Sequence, residues 1–272
     1  MAVAQTGARV GDIPANLKLA AQLLGRAASR GAGLVVLPEC FVQGYSVRPE
    51  VLALAEPSGG PAATSLAGSA RRHGIAVVVG FIERNPKAPK KPYNAALVIG
   101  RDGELAGVYR KTHLFGKERD AFTAGDDYPV FDLRLRPRGA PTRVGVCICA
   151  DVEYPEVARL LALGGAQLIA VPSADFDPFR AQQAANLVSR AIENNLHVAL
   201  ANTLDRRVGV NFFGGSGIAG PDGALTSAGY LRPRVVVAEL SDAAVEASGG
   251  VGSYLHDRRR DTYGALLDKP KR

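Results

Sequence analysis

Along the chain, short runs of Val, Ile and Leu alternate with longer stretches in which apolar positions recur every three or four residues. The first pattern predicts buried strands and the second amphipathic helices. VAQ (3–5) and GLVVLP (33–38) are strands on this reading. Between them Pro14 opens a helix at a position proline favours, and Leu17, Ala20, Ala21, Leu24 and Ala28 share one face as far as Gly31. A second helix spans about residues 62–73 and is stopped by Gly74, after which AVVVGF (76–81) reads as a strand. NAALVIG, the turn RDG and ELAGVYR form a hairpin. Further on, VGVCIC (144–149) is a strand that ends at ADVEYPE, Pro155 and Glu156 open a helix reaching about Leu163, and another helix starts near Arg180.

The order of elements recurs. GAGLVVLPE (31–39) resembles GAQLIAVPS (165–173), and VIGRDGEL (98–105) resembles IAGPDGAL (218–225). Two similar half-units, neither able to cover both faces of its own sheet, pack most simply sheet against sheet with helices outside. The expectation is an α/β protein, a four-layer α-β-β-α sandwich of two similar half-units. No linker interrupts the chain, so residues 1–272 are read as a single domain with an irregular basic C-terminal tail from about residue 243.

Composition narrows the function classes. Of 272 residues 47% are hydrophobic, ample for a large core, and the longest apolar stretch, about 160–171, is broken by Gly164, Gly165 and Gln167 and is too short to span a bilayer. MAVAQTGARVGD lacks a basic segment followed by an apolar one, so a cytoplasmic protein is expected. The net charge of +7 raises nucleic acid as a partner. Its distribution argues otherwise: residues 255–272 hold six Lys or Arg and three Asp, and RNPKAPKK (84–91) is a Pro-rich loop. Neither is interleaved with the aromatic side chains on which single strands stack. Three cysteines, Cys40, Cys147 and Cys149, make an odd set that suits reduced thiols better than disulfides. Four histidines without paired spacing give no zinc ligand set, and no metal is expected.

A reduced thiol can be a nucleophile. Alternation in VGVCIC puts Cys147 inside the strand, where a thiol behaves as a small hydrophobe. Cys149 stands at the strand-to-helix junction, where backbone N–H groups converge on whatever the side chain attacks. Glu39 and Lys111 also directly follow predicted strands, at the ends where α/β sheets collect ligands. LPECFVQGY (37–45), YRKTHLFGKERDAFTAGD (109–126) and VCICADVEYPE (146–156) together resemble, in order, the three catalytic motifs of the nitrilase or carbon-nitrogen hydrolase superfamily, amidase/carbamoylase-like branch. Similarity extends to AVAQ and PANL near the start, to RAIENNLHVALAN (190–202) and to GGSGIAGPDG (214–223).

The resemblance implies Glu39 as general base, Lys111 as the transition-state lysine, Cys149 as nucleophile and Glu118 as a second glutamate orienting the lysine and substrate. It implies no catalytic histidine, so His113 is given a structural role. The oxyanion hole is assigned to Lys111 and the Ala150 N–H, and Tyr45 and Asp175 are substrate-binding candidates. The implied reaction is hydrolysis of a small carboxamide through a thioester, with no cofactor. Alternatives are an N-carbamoyl amino acid hydrolase, a nitrile-hydrolysing member, or a catalytically idle interaction module. A papain-like hydrolase would need a Cys-His pair in a matching motif, which is missing. Within VPSADFDPF (171–179), Asp175 and Asp177 stand where the family more often has asparagine. Such an acid could favour an amine-bearing substrate or cap the helix near Arg180, and capping is the expectation. Cys149 is followed by Ala150 and Asp151 rather than Trp-Glu, which favours amides over nitriles. The family resemblance also implies a homodimer or larger assembly, and the segment after Asp242, with its SGGVGSYLHDRRRD run (248–261), is too irregular for the sandwich core and is expected to lie across a neighbouring subunit.

Overall fold

The computed structural model describes residues 1–207, 209–240 and 255–267. The first half runs β1 (Ala2–Gln5), α1 (Ile13–Ala28), β2 (Leu34–Val36), α2 (Pro49–Leu52), α3 (Pro61–His73), β3 (Ala76–Glu83), β4 (Tyr93–Ile99), β5 (Leu105–Arg110) and α4 (Glu118–Ala121). The second runs β6 (Val130–Leu133), β7 (Thr142–Val146), α5 (Pro155–Leu163), β8 (Leu168–Ser173), α6 (Arg180–Asn194), β9 (His197–Asn202), β10 (Leu204–Arg207), β11 (Val210–Phe213), β12 (Gly217–Ala219), β13 (Leu225–Ser227) and β14 (Arg234–Val237).

Two six-stranded sheets result, in the orders β5-β4-β3-β2-β1-β14 and β13-β12-β9-β8-β7-β6. Read strand for strand the orders match, so the half-unit repeat holds in space. Both hairpins of the repeated motif close alike, with Gly100 N–H on the Glu104 carbonyl and Gly220 N–H on the Ala224 carbonyl.

Period-two alternation explains the layers. In the first sheet Val36, Val78 and Val98 belong to one core with the second sheet's Val144, Val146 and Leu168, whereas Val35, Val77 and Leu97 pack with Leu23, Leu24 and Leu66 of α1 and α3. On the second sheet Leu161 of α5 and Leu187 of α6 complete the outer packing. Burying both faces explains why the strands read as nearly continuous apolar runs.

Boundaries differ in detail. β7 ends at Val146 rather than running through Cys149, although the Cys147 N–H still bonds the Ala170 carbonyl. The helix predicted from Pro155 is preceded by a 3₁₀ turn over Cys149–Glu153. No described helix is long and apolar enough to cross a membrane. Of the segment expected to reach a neighbouring subunit, residues 248–254 lie outside the described residues.

Candidate active site

Glu39 leaves β2 on a loop that bridges the two sheets. Its N–H reaches the carbonyl of Ser173, the last residue of β8, at 3.4 Å. The loop crosses directly over Gly80 in β3: a Cβ there would lie 2.4 Å from Cys40 N and 2.6 Å from Glu39 Cα, so only glycine admits the crossing. Cys40 then turns with φ 47°, and Cys149, at the tip of the second sheet's junction, has the same φ of 47°. Left-handed backbone costs a non-glycine residue on the order of 1–2 kcal/mol.

Lys111 follows β5, and Glu118 opens α4 seven residues later. Both are buried, as are Glu39 and Asn94 of β4. The Lys111 ammonium donates to Glu39 Oε1 at 2.7 Å and to Glu118 Oε2 at 2.8 Å. Asn94 donates to the same Glu39 Oε1 at 2.7 Å and to the other oxygen of Glu118, Oε1, at 3.1 Å, while its Oδ1 accepts from the Cys40 thiol. Glu118 is saturated by the Tyr45 hydroxyl on Oε1 and the Phe115 N–H on Oε2. Among the described residues, none reaches the buried Glu39 Oε2 with a hydrogen bond. An ion cluster taken out of water gains little stability unless every site is met, so an orphan oxygen here points to chemistry.

The electrostatics follow from two carboxylates sharing one ammonium. Burial pushes Glu39 up to about 6, with Lys111 pulling down and Glu118 pushing up. Burial would lower Lys111, but Glu39 and Glu118 outweigh it and hold the ammonium charged well above its usual range. Burial and then the Glu39 charge push the Cys149 thiol well above its ordinary value. The resting pair is therefore a neutral thiol beside a carboxylate. Lysine carries three donors; two are used, leaving one. Ala150, second in the 3₁₀ turn, has its N–H among those that a helix start leaves unpaired.

A second buried carboxylate ties the halves of the site together. Asp151 accepts from Tyr109 Oη at 2.7 Å, Thr112 Oγ1 at 2.9 Å, His113 N at 2.8 Å and Ile148 N at 2.9 Å, and pairs with His113 Nδ1 at 2.9 Å. It fixes the turn that carries Cys149 to the segment that carries Lys111. His113 stacks on Tyr154 with ring centroids 4.0 Å apart. Cys147 is fully buried in the inter-sheet core.

Of the residues singled out from sequence, Glu39, Lys111 and Glu118 meet directly, and Cys149 lies where their charges act on it. Tyr45 spends its hydroxyl on Glu118. The capping expectation for Asp175 and Asp177 fails: the α6 N-cap is Phe179 with no side-chain cap, Asp175 Oδ1 accepts from Phe176 N, and Asp177 pairs with the Arg180 guanidinium. Sequence reasoning missed Asn94, Asp151 and Gly80. The signal for Asn94 was a lone amide opening an otherwise apolar strand.

The carbon-nitrogen hydrolase family model matches residues 1–248. A nitrilase of Pyrococcus abyssi is 36% identical over 91% of this chain and 92% of its own length. An (R)-stereoselective amidase of Pseudomonas sp. is 32% identical over 98% and 93%. Among solved structures, a mutant of the amidase from Nesterenkonia sp. AN1 superposes with a TM-score of 0.83 at 31% identity, covering 98% of this chain and 95% of its own. It shows covalent addition of the acetamide moiety of fluoroacetamide at its active-site cysteine. With the sandwich, the buried glutamate-lysine-glutamate cluster and the adjacent cysteine in place, these matches show that the chain belongs to the carbon-nitrogen hydrolase family.

Proposed function

We propose that this carbon-nitrogen hydrolase cleaves the amide bond of a small carboxamide through a thioester on Cys149, releasing ammonia or an amine and then a carboxylate. Glu39 carries this reading: one oxygen is held by Lys111 and Asn94, and the other is buried with no partner among the described residues. That oxygen takes the thiol proton as sulfur attacks the carbonyl carbon, a concerted transfer, since the thiol does not ionise alone. The oxyanion is met by the third Lys111 proton and the Ala150 N–H. Protonated Glu39 gives its proton to the leaving nitrogen, the C–N bond breaks, and the thioester remains. Water loses a proton to Glu39 and attacks; the thiolate leaves and recovers that proton. A group near pH 6 serves both directions of transfer.

Amides, not nitriles, are the proposed substrates. An amide places an oxyanion between Lys111 and Ala150, whereas a nitrile puts nitrogen there. Ammonia release from matched pairs, such as propionamide and propionitrile, tests this. Faster turnover of the amide is expected, and faster turnover of the nitrile would overturn it.

We also propose a homodimer. Tyr154, Leu160 and Leu163, at and within α5, and Ile192 of α6 form exposed apolar positions on helices beside the site.

A further inference from the structure

Two residues beyond the end of β8, Asp175 is buried, 8% exposed, next to the loop through which Ser173 holds Glu39. Its backbone is clamped from both sides by Asn202, whose Oδ1 accepts from Asp175 N at 2.7 Å and whose Nδ2 donates to the Asp175 carbonyl at 3.1 Å. Asp175 Oδ1 accepts from Phe176 N at 2.9 Å, and among the described residues no donor reaches Oδ2 and no cationic side chain pairs with the carboxylate. A buried carboxylate without a counter-ion is costly as an anion, so it either takes up a proton or gains from an incoming cation. Its charge acts on the Cys149 thiol and is felt together with Glu153 and Glu39, with Lys111 opposing them. Burial, and then the Glu153 and Glu39 charges, push Asp175 up to about 7 against the pull of the Phe176 N–H and Lys111. A wall of rings continues from this point: Phe176 meets Phe179 at 5.5 Å, Phe212 at 6.0 Å and the half-exposed Phe115 at 6.1 Å. Phe212 in turn meets Tyr45, the donor to Glu118.

Resting on the amide-hydrolysis reading, we infer that Asp175 is the recognition site for a cationic group on the acyl part of the substrate, so that this chain prefers amides whose acyl chain ends in a protonated amine. The free Oδ2 accepts the ammonium, and a cation held there gains further attraction wherever it meets a ring of the neighbouring Phe176 cluster.

Two readouts test this. Isosteric pairs, 3-aminopropanamide against butanamide and 4-aminobutanamide against pentanamide, are compared in kcat/KM. The amino-amide is expected to be preferred by about tenfold or more in at least one pair, the scale of a desolvated ion pair, and Asp175→Asn is expected to abolish that preference. A neutral amide equal to or better than its partner in both pairs, or a preference that survives Asp175→Asn, overturns the inference. The second readout needs no turnover: alkylation of Cys149 by iodoacetamide, followed by mass spectrometry, with millimolar n-propylammonium or n-propanol at matched ionic strength. The ammonium is expected to protect the wild-type thiol, and Asp175→Asn to lose that protection. Equal protection by both, or by neither, overturns it. If no amide of either kind is hydrolysed, the amidase reading falls, and the protection assay still decides the role of Asp175.

Discussion

Cys147 and Cys149 stand two positions apart, yet one is core and the other is held on strained backbone beside a carboxylate. Cys149→Ala is therefore expected to abolish turnover, whereas Cys147→Ala leaves a folded enzyme with a small cavity. Lys111→Ala is expected to lower kcat by at least about 10²-fold, the scale for one oxyanion donor, and an unchanged kcat would remove Lys111 from the chemistry. In the proposed mechanism the pH profile belongs to Glu39. The base must be a carboxylate, so on a neutral amide kcat/KM should fall roughly tenfold per pH unit below about 6 and level off above it. A profile flat from pH 5 to 8 would show that Glu39 is not the base.

The proposed catalytic groups are set by element ends rather than by any one loop. Gly80 lets the Glu39 loop cross β3, and Gly80→Ala would drive a methyl into that loop's backbone, 2.5 Å from the Pro38 carbonyl oxygen and 2.4 Å from Cys40 N. A loss of about 1–3 kcal/mol is expected by chemical denaturation, together with a lower kcat in the folded fraction. Asp151 joins the Lys111 segment to the Cys149 turn, so Asp151→Ala should lower stability and kcat together. Its accepted bonds to a buried charge are each worth about 1.5–3 kcal/mol. Retained kcat with a lowered Tm would make Asp151 structural only. Glycine and buried polar residues such as these are hard to find from periodicity. A strand interior reads the same with Gly80 in it, and Asp151 looks like a loop acid until the fold brings Tyr109 and Thr112 to it.

At the scale of the whole molecule, the repeat of Gly-Ala-x-Leu and of the Asp-Gly hairpins was legible because each half must solve the same burial problem, and the two matched strand orders are that solution. The β10-β11 hairpin was not read, since LDRR and VNFF mix charge and apolar residues without clear alternation. It matters because Phe212 of β11 belongs to the ring wall at Asp175. The proposed homodimer predicts twice the monomer mass by light scattering at micromolar concentration, and Leu160→Asp should shift the mass toward the monomer. A monomeric wild-type protein would contradict it.

The central claim is a thioester on Cys149 made with the help of Glu39. The most direct test is to quench the enzyme during turnover of a slowly deacylated amide, digest it, and locate the added acyl mass by tandem mass spectrometry. The adduct is expected on Cys149 alone, absent from Cys149→Ala and strongly reduced in Glu39→Gln. Turnover with no adduct on Cys149, or with the acyl group on Cys40 or Cys147, would contradict it.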